Sequence, residues 1–425
     1  MLTNCKINNF KINAQIGSGA FGLVFHTFDT ITHREYAIKA VMKKSQQSNN
    51  SDNVDPSIKK STILETQLYH FFKTYQDTLY LPSVDLDSIS NLTDKQLESI
   101  PHYREIALHL KVHYHSNIVT IHQVLESPIA TFIVMDYYPI DLFTSIVDCK
   151  HFTEDGLLIK KVFLQLCSAL NYCHERGIYH CDIKPENILL DMFDNIYLCD
   201  FGLATTSPYL APNTCVGSSY YMAPERVLCK DYDNESKFPT TTGDIWSLGI
   251  ILINLTCVRN PWLKAHQVED NTFRHFVEDS TVLQKLLPIS NDLYFLLSRI
   301  LRMNPFERIN LNDLMKEVED IISFTLEGSL ANVPRISNNN ITDKMINPLS
   351  LKALLNNYND ELSEEDSNDQ YTRSSIRSFS SSPEDTPYHS GADDSIPSSQ
   401  SKSLYLQPNL SSTTAYSTGG WLPAY

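Results

Sequence analysis

The sequence is poor in basic residues, with 34 lysines and arginines against 50 aspartates and glutamates, and its formal net charge is -16. Proteins that bind nucleic acid or an anionic membrane need a basic face, so this charge balance argues against both kinds of partner. An acidic surface is compatible with basic peptides as ligands, but solubility alone is a sufficient reason for it.

The sequence also lacks the cysteine pattern of a disulfide framework or a zinc ribbon, because its nine cysteines are scattered and include no CxxC pair. The first ten residues, MLTNCKINNF, lack the apolar segment of a signal peptide. The longest apolar run, from Trp246 to Val258, is too short to cross a bilayer. We therefore expect a soluble protein of a reducing compartment without a membrane association. We also expect a monomer that is cytoplasmic, or both cytoplasmic and nuclear.

The chain falls into segments of different composition. Residues 10 to 41 alternate between apolar and polar side chains around a glycine cluster, which predicts three antiparallel strands. Residues 44 to 61 are polar and predict a disordered insertion. A helical spacing of apolar residues then predicts a helix, through Leu64, Leu68, Phe71, Tyr75 and Leu79. Thr93 and Gln96 predict a capping box, and the Ser- and Asn-rich composition beyond about residue 325 predicts a disordered tail.

The segment IGSGAFGLVF places Gly17, Gly19 and Gly22 between two strand-like runs. Glycines allow a hairpin backbone to approach phosphates without side-chain clashes. A dinucleotide-binding fold would need a helix directly after these glycines, and LVFHTFDT is strand-like instead. Lys39 follows in the apolar strand YAIKAV, on the same face as Ala37 and Val41, so its ammonium points into an interior and needs an anionic partner.

The segment YHCDIKPENILL carries three polar groups at close spacing, namely Asp182, Lys184 and Asn187. Transfer of a phosphoryl group to a hydroxyl needs a carboxylate that orients the hydroxyl and accepts its proton. It also needs a cation near the transferred group and oxygen ligands for magnesium. Asp182 suits the first role, Lys184 the second, and Asn187 together with Asp200 of LCDFGLA the third.

These motifs, in this order and spacing, resemble the eukaryotic protein kinase family over residues 10 to about 323. The resemblance implies an α+β, bilobal protein kinase fold with a small β-rich N-lobe, a large helical C-lobe and a disordered C-terminal tail. It divides the chain into a short N-terminal arm (1–9), a catalytic domain (10–323) and a Ser/Asn-rich regulatory tail (324–425). An insertion at about 44–100 separates the third strand from the helix that carries the glutamate partner of Lys39.

The same resemblance implies that the glycine loop covers the phosphates of ATP and that Lys39 holds the α- and β-phosphates. Met135 matches the gatekeeper, the backbone of Asp136 and Tyr138 faces adenine, and Asp141 lies near the ribose. The implied nucleotide-binding residues are Ile16, Gly17, Ser18, Gly19, Ala20, Phe21, Gly22, Val24, Ala37, Lys39, Glu105, Met135, Asp136, Tyr138, Asp141 and Leu189. Asp182 and Lys184 form the implied catalytic pair, and Asn187 and Asp200 bind Mg²⁺, with Mn²⁺ as a substitute.

Two glutamates compete for the partner role to Lys39. Glu65 lies at the usual separation, but YREIALHLKVHYHSNIVTI leads from Glu105 directly into the expected helix-to-strand junction. We therefore choose Glu105, because the cost of closing a loop grows only slowly with its length. The resemblance also implies a buried pair of Glu225 with Arg308 and an anchoring role for Asp244 on the catalytic-loop backbone. His109 is expected to be a packing residue.

Cys181 stands where many members of this family carry an arginine. That arginine is a buried cation that a phosphorylated activation-loop residue neutralises. Because Cys181 is neutral, we expect no cationic pocket behind the catalytic loop and activity without activation-loop phosphorylation.

Lys184 after the base, and Ser218 in GSSYYMAPE, resemble the serine/threonine branch of the family. Shorter runs resemble fungal kinases that regulate meiosis, nutrient response and cell-cycle entry. The expected substrates are proteins with Ser or Thr hydroxyls and basic upstream residues, which Asp141 and Glu186 would face. Two alternatives remain open: a pseudokinase scaffold, and a small-molecule kinase on a related fold.

Overall fold

The computed structural model describes residues 2–19, 22–43, 60–153, 155–211, 217–227 and 237–326. Ala20, Phe21, the polar stretch 44–59 and the tail from 327 to 425 lie outside the described residues, so the predictions made for them are not addressed below. No helix within the described ranges is both long and apolar enough to cross a membrane.

A single curled sheet of eight strands forms the N-lobe. The strand order is β5-β1-β2-β3-β4-β8-β7-β6, and neighbours run antiparallel except for β1 and β5. The strands are β1 (Lys6–Ile7), β2 (Phe10–Gly19), β3 (Gly22–Asp29), β4 (Glu35–Met42), β5 (Thr78–Leu79), β6 (Ser83–Val84), β7 (Ile121–Glu126) and β8 (Ala130–Asp136). The three antiparallel strands predicted within residues 10 to 41 are β2, β3 and β4.

Residues 2 to 9 belong to the N-lobe rather than to a separate arm. Leu2, Cys5 and Ile7 are buried in the same apolar cluster as Phe25 of the sheet, and β1 pairs with β2. The boundary predicted at residue 10 is therefore too late. A strand of two residues, such as β1, has no alternation that the sequence could show.

The insertion folds onto the N-lobe in two parts. Helix α1 (Lys60–Thr74) buries Leu64, Leu68 and Phe72 against the sheet. The predicted helix is therefore present, but it ends before Tyr75, which is exposed, and Leu79 lies in β5. Helices α2 (Leu86–Ser90) and α3 (Asp94–Ser99) follow, and the capping box predicted between Thr93 and Gln96 is present on α3.

Helices α2 and α3 pack directly against the helix that carries Glu105, α4 (Arg104–Leu110). Ile89 and Leu97 of the insertion are buried in one cluster with Ile106, Ala107 and Leu110 of α4. The insertion therefore supports the position of α4 from the side opposite to the lobe interface.

The C-lobe is helical and is built around α8 (Thr240–Cys257), most of whose side chains are buried, with Trp246 fully so. The other helices are α5 (Leu142–Val147), α6 (Gly156–Glu175), α7 (Pro224–Val227), α9 (Asn271–Glu278), α10 (Val282–Leu286), α11 (Asn291–Ile300) and α12 (Leu311–Asp320). Short strands complete the lobe: β9 (Ile140–Asp141), β10 (Ile188–Leu190), β11 (Ile196–Leu198), β12 (Tyr209–Leu210) and β13 (Phe238–Pro239).

The C-lobe core extends past the boundary predicted at residue 323. Phe324 is fully buried in the apolar cluster of this lobe, and its carbonyl accepts a hydrogen bond from the Ser290 backbone N–H at 3.0 Å. The compositional shift that suggested the boundary begins only after this anchoring residue.

Candidate active site

Strand alternation turns one set of side chains toward the space between the lobes. In β10, Ile188 and Leu190 are buried in the C-lobe core, so Leu189 points the opposite way and is half-buried. In the N-lobe sheet, Val24 pairs with Lys39 and Ala37 pairs with Met135. The side chains of Val24, Lys39, Ala37 and Met135 therefore share the sheet face opposite to the buried Ile38 and Ala40.

The glycine hairpin needs its small residues for two different reasons. A Cβ atom on Gly17 would lie 3.2 Å from the Cβ of Val24, its partner across the hairpin. At Gly22 the backbone has a φ of +150°, and a Cβ there would lie 2.1 Å from the Ala40 carbonyl oxygen. Gly22 is therefore required by the fold.

Lys39 is the cationic centre of the cleft. Its Nζ lies 2.6 Å from Glu105 Oε1 and 2.9 Å from Asp200 Oδ1. The pair predicted between Lys39 and Glu105 is therefore present, and Glu65 lies instead on α1. Burial alone would lower the pKa of Lys39, but the charges of Asp200 and Glu105 outweigh burial and raise it. Burial likewise opposes ionisation of Asp200, but the charge and hydrogen bond of Lys39, together with the charges of His180 and Lys184, outweigh burial and lower the pKa of Asp200 to about 2.

Asp182 is held by donors on both carboxylate oxygens. Oδ2 accepts from Lys184 Nζ at 2.7 Å and from Asn187 Nδ2 at 3.2 Å. Oδ1 accepts from the backbone N–H and the hydroxyl of Ser218, each at 3.0 Å. The catalytic loop and the segment around Ser218 therefore meet at this carboxylate, which is 5 % exposed.

Asp244 anchors the catalytic-loop backbone, as predicted. Its carboxylate accepts from the backbone N–H groups of His180, at 3.1 Å, and Cys181, at 2.9 Å. It also lies 2.9 Å from His174 Nε2. Burial would raise the pKa of Asp244, but the hydrogen bond and charge of His174, with the charges of Arg226 and His180, lower it. The carboxylate stays ionised and fixes the loop that precedes Asp182.

A column of aromatic rings connects the lobes behind the site. The ring of His109 stacks on Phe201 at a centroid distance of 4.6 Å, and Phe201 lies 5.0 Å from the ring of His180. His109 Nε2 is 2.7 Å from the Val119 carbonyl oxygen, so the N–H is satisfied. His109 is therefore a packing residue, as expected, and Phe201, which directly follows Asp200, contacts both histidine rings.

The column predicts an effect of pH on stability. Burial, with smaller contributions from the charges of His113, Lys39 and His180, lowers the pKa of His109 from 6.5 to about 3. Between these values the unfolded chain binds a proton that the folded chain does not, so His109 destabilises the fold as pH falls below about 6.5. Between pH 7 and pH 5 the free energy of unfolding of the wild type should fall by about 2 kcal/mol more than that of His109→Leu. Denaturant unfolding at both pH values tests this, and equal losses would contradict it.

The segment that connects the two lobes, called the hinge below, begins at the end of β8 and includes Asp136, Tyr138 and Asp141. The Asp136 carboxylate is 2.6 Å from His122 Nε2, and its backbone N–H donates to the Thr120 carbonyl at 3.1 Å. Tyr138 stacks on Tyr197 with a centroid distance of 3.9 Å. Asp141 caps α5, accepting from the Thr144 N–H at 2.7 Å. These contacts fix the hinge, while its roles toward adenine and ribose stay predictions.

The segment after the catalytic loop is tied down by a buried ion pair. Arg308 Nη1 and Nη2 each donate to one carboxylate oxygen of Glu225, both at 2.7 Å. The predicted pair is therefore present. Both side chains are almost fully buried, and Arg308 also donates to the Thr242 carbonyl at 2.9 Å.

The expectation of no cationic pocket behind the catalytic loop is wrong, because Arg226 lies there although Cys181 itself is neutral. Arg226 is 6 % exposed, and its Nη2 donates to the Thr240 carbonyl at 2.7 Å. It lines a small cavity together with Cys181. Sequence reasoning overlooked this residue, although an arginine directly after Glu225 and a glycine directly before Asp244 were visible in the sequence.

The residues present fit a nucleotide-bound divalent ion. Asn187 donates its amide Nδ2 to the Asp182 carbonyl at 2.9 Å, which directs its amide oxygen away from that residue. Asp200 offers a second, ionised oxygen donor beside it. In the described part of the chain, no group of three or more His, Cys, Asp or Glu side chains could hold a metal alone. Two ligands suit an ion that phosphate oxygens also coordinate.

This fold and site define a nucleotide-dependent phosphotransferase of the bilobal class. The family model for the protein kinase domain matches residues 86–318. The chain is 63% identical over 350 residues to the serine/threonine-protein kinase SKS1 of Saccharomyces cerevisiae, covering 79% of this chain and 70% of that protein. It is 55% identical over 359 residues to VHS1 of the same yeast, also a serine/threonine-protein kinase, covering 82% and 78%.

A third relative is the negative regulator of sexual conjugation and meiosis of Schizosaccharomyces pombe. It is 42% identical over 269 residues, which cover 59% of this chain and 56% of that protein. The chain belongs to the protein kinase family, in its serine/threonine branch. Members of this family use ATP and a divalent metal to phosphorylate proteins.

Proposed function

We propose that this chain is an active kinase that transfers the γ-phosphoryl group of Mg²⁺-ATP to Ser and Thr hydroxyls of proteins, with Mn²⁺ as a substitute metal. The observation that carries the proposal is the carboxylate of Asp182, which Lys184, Asn187 and Ser218 hold in one position. A pseudokinase scaffold does not transfer phosphate, so it would not need both these contacts of Asp182 and an intact Lys39–Glu105 pair. A small-molecule kinase has no need for the contact with Ser218.

Each residue has a distinct role in this proposal. Asp182 orients the substrate hydroxyl and accepts its proton as the oxygen attacks phosphorus, and ADP leaves. Lys184 lies beside Asp182 and offsets charge on the transferred group. Lys39, fixed by Glu105, binds the α- and β-phosphates, while Asn187 and Asp200 hold the metal.

A phosphotransfer assay tests the proposal directly. The purified chain is incubated with γ-labelled ATP, Mg²⁺ and a generic basic protein, and the phosphoamino acids are analysed. We expect label on Ser and Thr that disappears when EDTA removes the metal. Nucleotide binding without transfer would favour the scaffold, and transfer only to small alcohols would favour the small-molecule kinase.

The relatives suggest a biological setting. The name of the fission-yeast relative describes control of sexual conjugation and meiosis. We infer that this chain also regulates meiosis, nutrient response or cell-cycle entry. Expression in a fission-yeast strain without that relative should restore the block on meiosis. If the Asp182→Asn variant restored it equally well, phosphotransfer would not be the active property.

The acidic residues near the catalytic loop suggest a basic substrate motif. Glu186 is half-buried, and burial raises the pKa of its carboxyl group, with the charges of Asp182 and Asp141 acting in the same direction. The guanidinium of a substrate arginine between Glu186 and Asp141 would stabilise the ionised carboxylates and offset the unfavourable effect of burial. We therefore expect a preference for Arg three residues before the target hydroxyl.

A peptide array measures this preference. Wild type should prefer Arg over Ala at that position by about tenfold, the value of one charge-assisted contact. Glu186→Gln should reduce the ratio severalfold, while Glu278→Gln, at an exposed position of α9, should not change it. Selection of acidic or proline-directed sites instead would show that this pair does not read the substrate.

Activation-loop phosphorylation should matter little. Ser207 donates its hydroxyl to the Tyr209 carbonyl at 2.6 Å, and Thr205 pairs through its backbone with Tyr179. The buried Arg226 already contacts the Thr240 carbonyl. Replacing Thr205, Thr206, Ser207 and Thr214 together by Ala should change turnover by less than about tenfold, because a larger gain needs a cation that a phosphate can reach. A tenfold or larger loss with intact thermal unfolding would show loop control.

A further inference from the structure

Arg226 enters the space behind the catalytic loop from α7. Its guanidinium lies flat against the first turn of α8, because a Cβ built on Gly243 would lie only 2.3 Å from its Cζ atom and 2.4 Å from Nη2. The hydrogen bond to the Thr240 carbonyl fixes the guanidinium at this turn. Gly243 directly precedes Asp244 in the chain, and the charge of Arg226 acts on the Asp244 carboxylate that anchors the catalytic loop.

The same guanidinium borders the catalytic loop itself. Arg226 shares a small cavity with Cys181, Asp182, Gly217 and Ser218. Gly217 closes this cavity tightly, since a Cβ there would lie 2.7 Å from the Cys181 carbonyl oxygen. Cys181 has a left-handed backbone with a φ of 65°. Burial raises the pKa of its thiol to about 12, against the opposing effect of Arg226, so the thiol beside the guanidinium is neutral.

The function of the Arg226 cation follows from its effect on Asp244. A fully buried carboxylate is costly unless donors and a positive charge stabilise its ionised form. The Arg226 charge helps to lower the pKa of Asp244. Two of the bonds to Asp244 come from the backbone of His180 and Cys181, directly before Asp182. A change at Arg226 is therefore transmitted to the base through one carboxylate.

We propose that Arg226 is a positioning residue for Asp182, supplying from α7 the cation that Cys181 does not supply from the catalytic loop. It fixes the loop through Asp244 and ties it to the segment that carries Ser218. Because its partners lie within the chain, the cation is stabilised without a phosphate. This role rests on the proposed phosphotransfer at Asp182.

A charge swap tests the assignment. The variants are Arg226→Met, Arg226→Lys, Cys181→Arg and the double variant Cys181→Arg/Arg226→Met. Arg226→Met should lower kcat at least about tenfold with KM for ATP within about twofold, because the nucleotide cleft is not touched. Arg226→Lys should retain more activity than Arg226→Met, since it keeps the charge without the planar fork.

The double variant is the decisive measurement. Cys181→Arg alone should be slow, because it places two cations in one cavity, whereas the double variant should recover to within about threefold of wild type. Wild-type kcat in Arg226→Met, or a double variant no faster than the slower single one, would overturn the proposal. Thermal unfolding of each variant separates positioning from loss of the fold.

A second readout does not depend on turnover. Amide hydrogen exchange at His180 and Cys181 reports the bonds to Asp244, and in Arg226→Met it should be at least about tenfold faster. An inactive wild type would refute the proposed function and leave this readout to decide the role of Arg226. Unchanged exchange at both amides would overturn the positioning role even if the kinase is active.

Discussion

Replacing Asp182 by Asn is expected to lower turnover by about 10²-fold or more, with ATP affinity near that of wild type. The amide keeps the size of the side chain and can still accept from Ser218, but it cannot take up the substrate proton. The loss should appear in kcat of the labelled-ATP assay, and nucleotide affinity should be measured in parallel by a fluorescent ATP analogue.

The matched control for this variant is Asp194→Asn. Asp194 lies in the turn between β10 and β11, where its backbone has a φ of 59° that asparagine tolerates well. The same chemical change there should leave kcat within about twofold of wild type, since it removes no group from the site. Near wild-type turnover in Asp182→Asn would exclude this carboxylate from the mechanism.

The second large effect concerns stability. Glu225→Gln or Arg308→Met should each lower the free energy of unfolding by about 3–5 kcal/mol, because each leaves one buried charge without its partner. Arg308 is 7 % exposed and its guanidinium lies 4.9 Å from the Trp246 ring, so water does not readily replace the lost contact. Chemical denaturation of purified variants measures the change.

A double-mutant cycle separates the pair from its surroundings. Glu225→Gln/Arg308→Met should cost less than the sum of the single variants by at least about 1 kcal/mol, because no unpaired charge remains. Lys285→Met, in the exposed pair with Asp279, is the comparison and should leave Tm unchanged. Additive single effects would mean that the bidentate contact contributes little.

The chemistry of the site could be predicted because its residues are close in sequence. Asp182, Lys184 and Asn187 lie within six residues, and their spacing alone places them on one loop. The partner of Lys39 could be predicted across 66 residues because the helix and strand after Glu105 have clear periodicity. Both predictions depend on patterns within short segments, and such patterns can be recognised without knowledge of the fold.

The parts that could not be predicted depend on contacts between distant segments. The N-terminal residues bury Leu2 and Cys5 under a sheet that only the folded chain assembles. Strands of two residues, such as β5 and β6, carry no alternation that can be recognised. In the sequence, nothing distinguishes Arg226 from an exposed arginine. Only the folded chain brings Gly243 of α8, the residue before Asp244, against its guanidinium.

The insertion supplies both outermost strands of the N-lobe sheet, and only Tyr80, Leu81 and Pro82 separate them. Leu81 bonds to the side chain of Asn8 on one side, and the Pro82 carbonyl accepts from the Glu126 N–H on the other, at 3.0 Å. The two terminal strands of the sheet, β5 and β6, are therefore connected by only three residues. A partner that binds by adding a strand needs a long open edge, and each terminal strand here offers two residues. Neither of these two terminal strands therefore offers an added strand more than two residues to pair with.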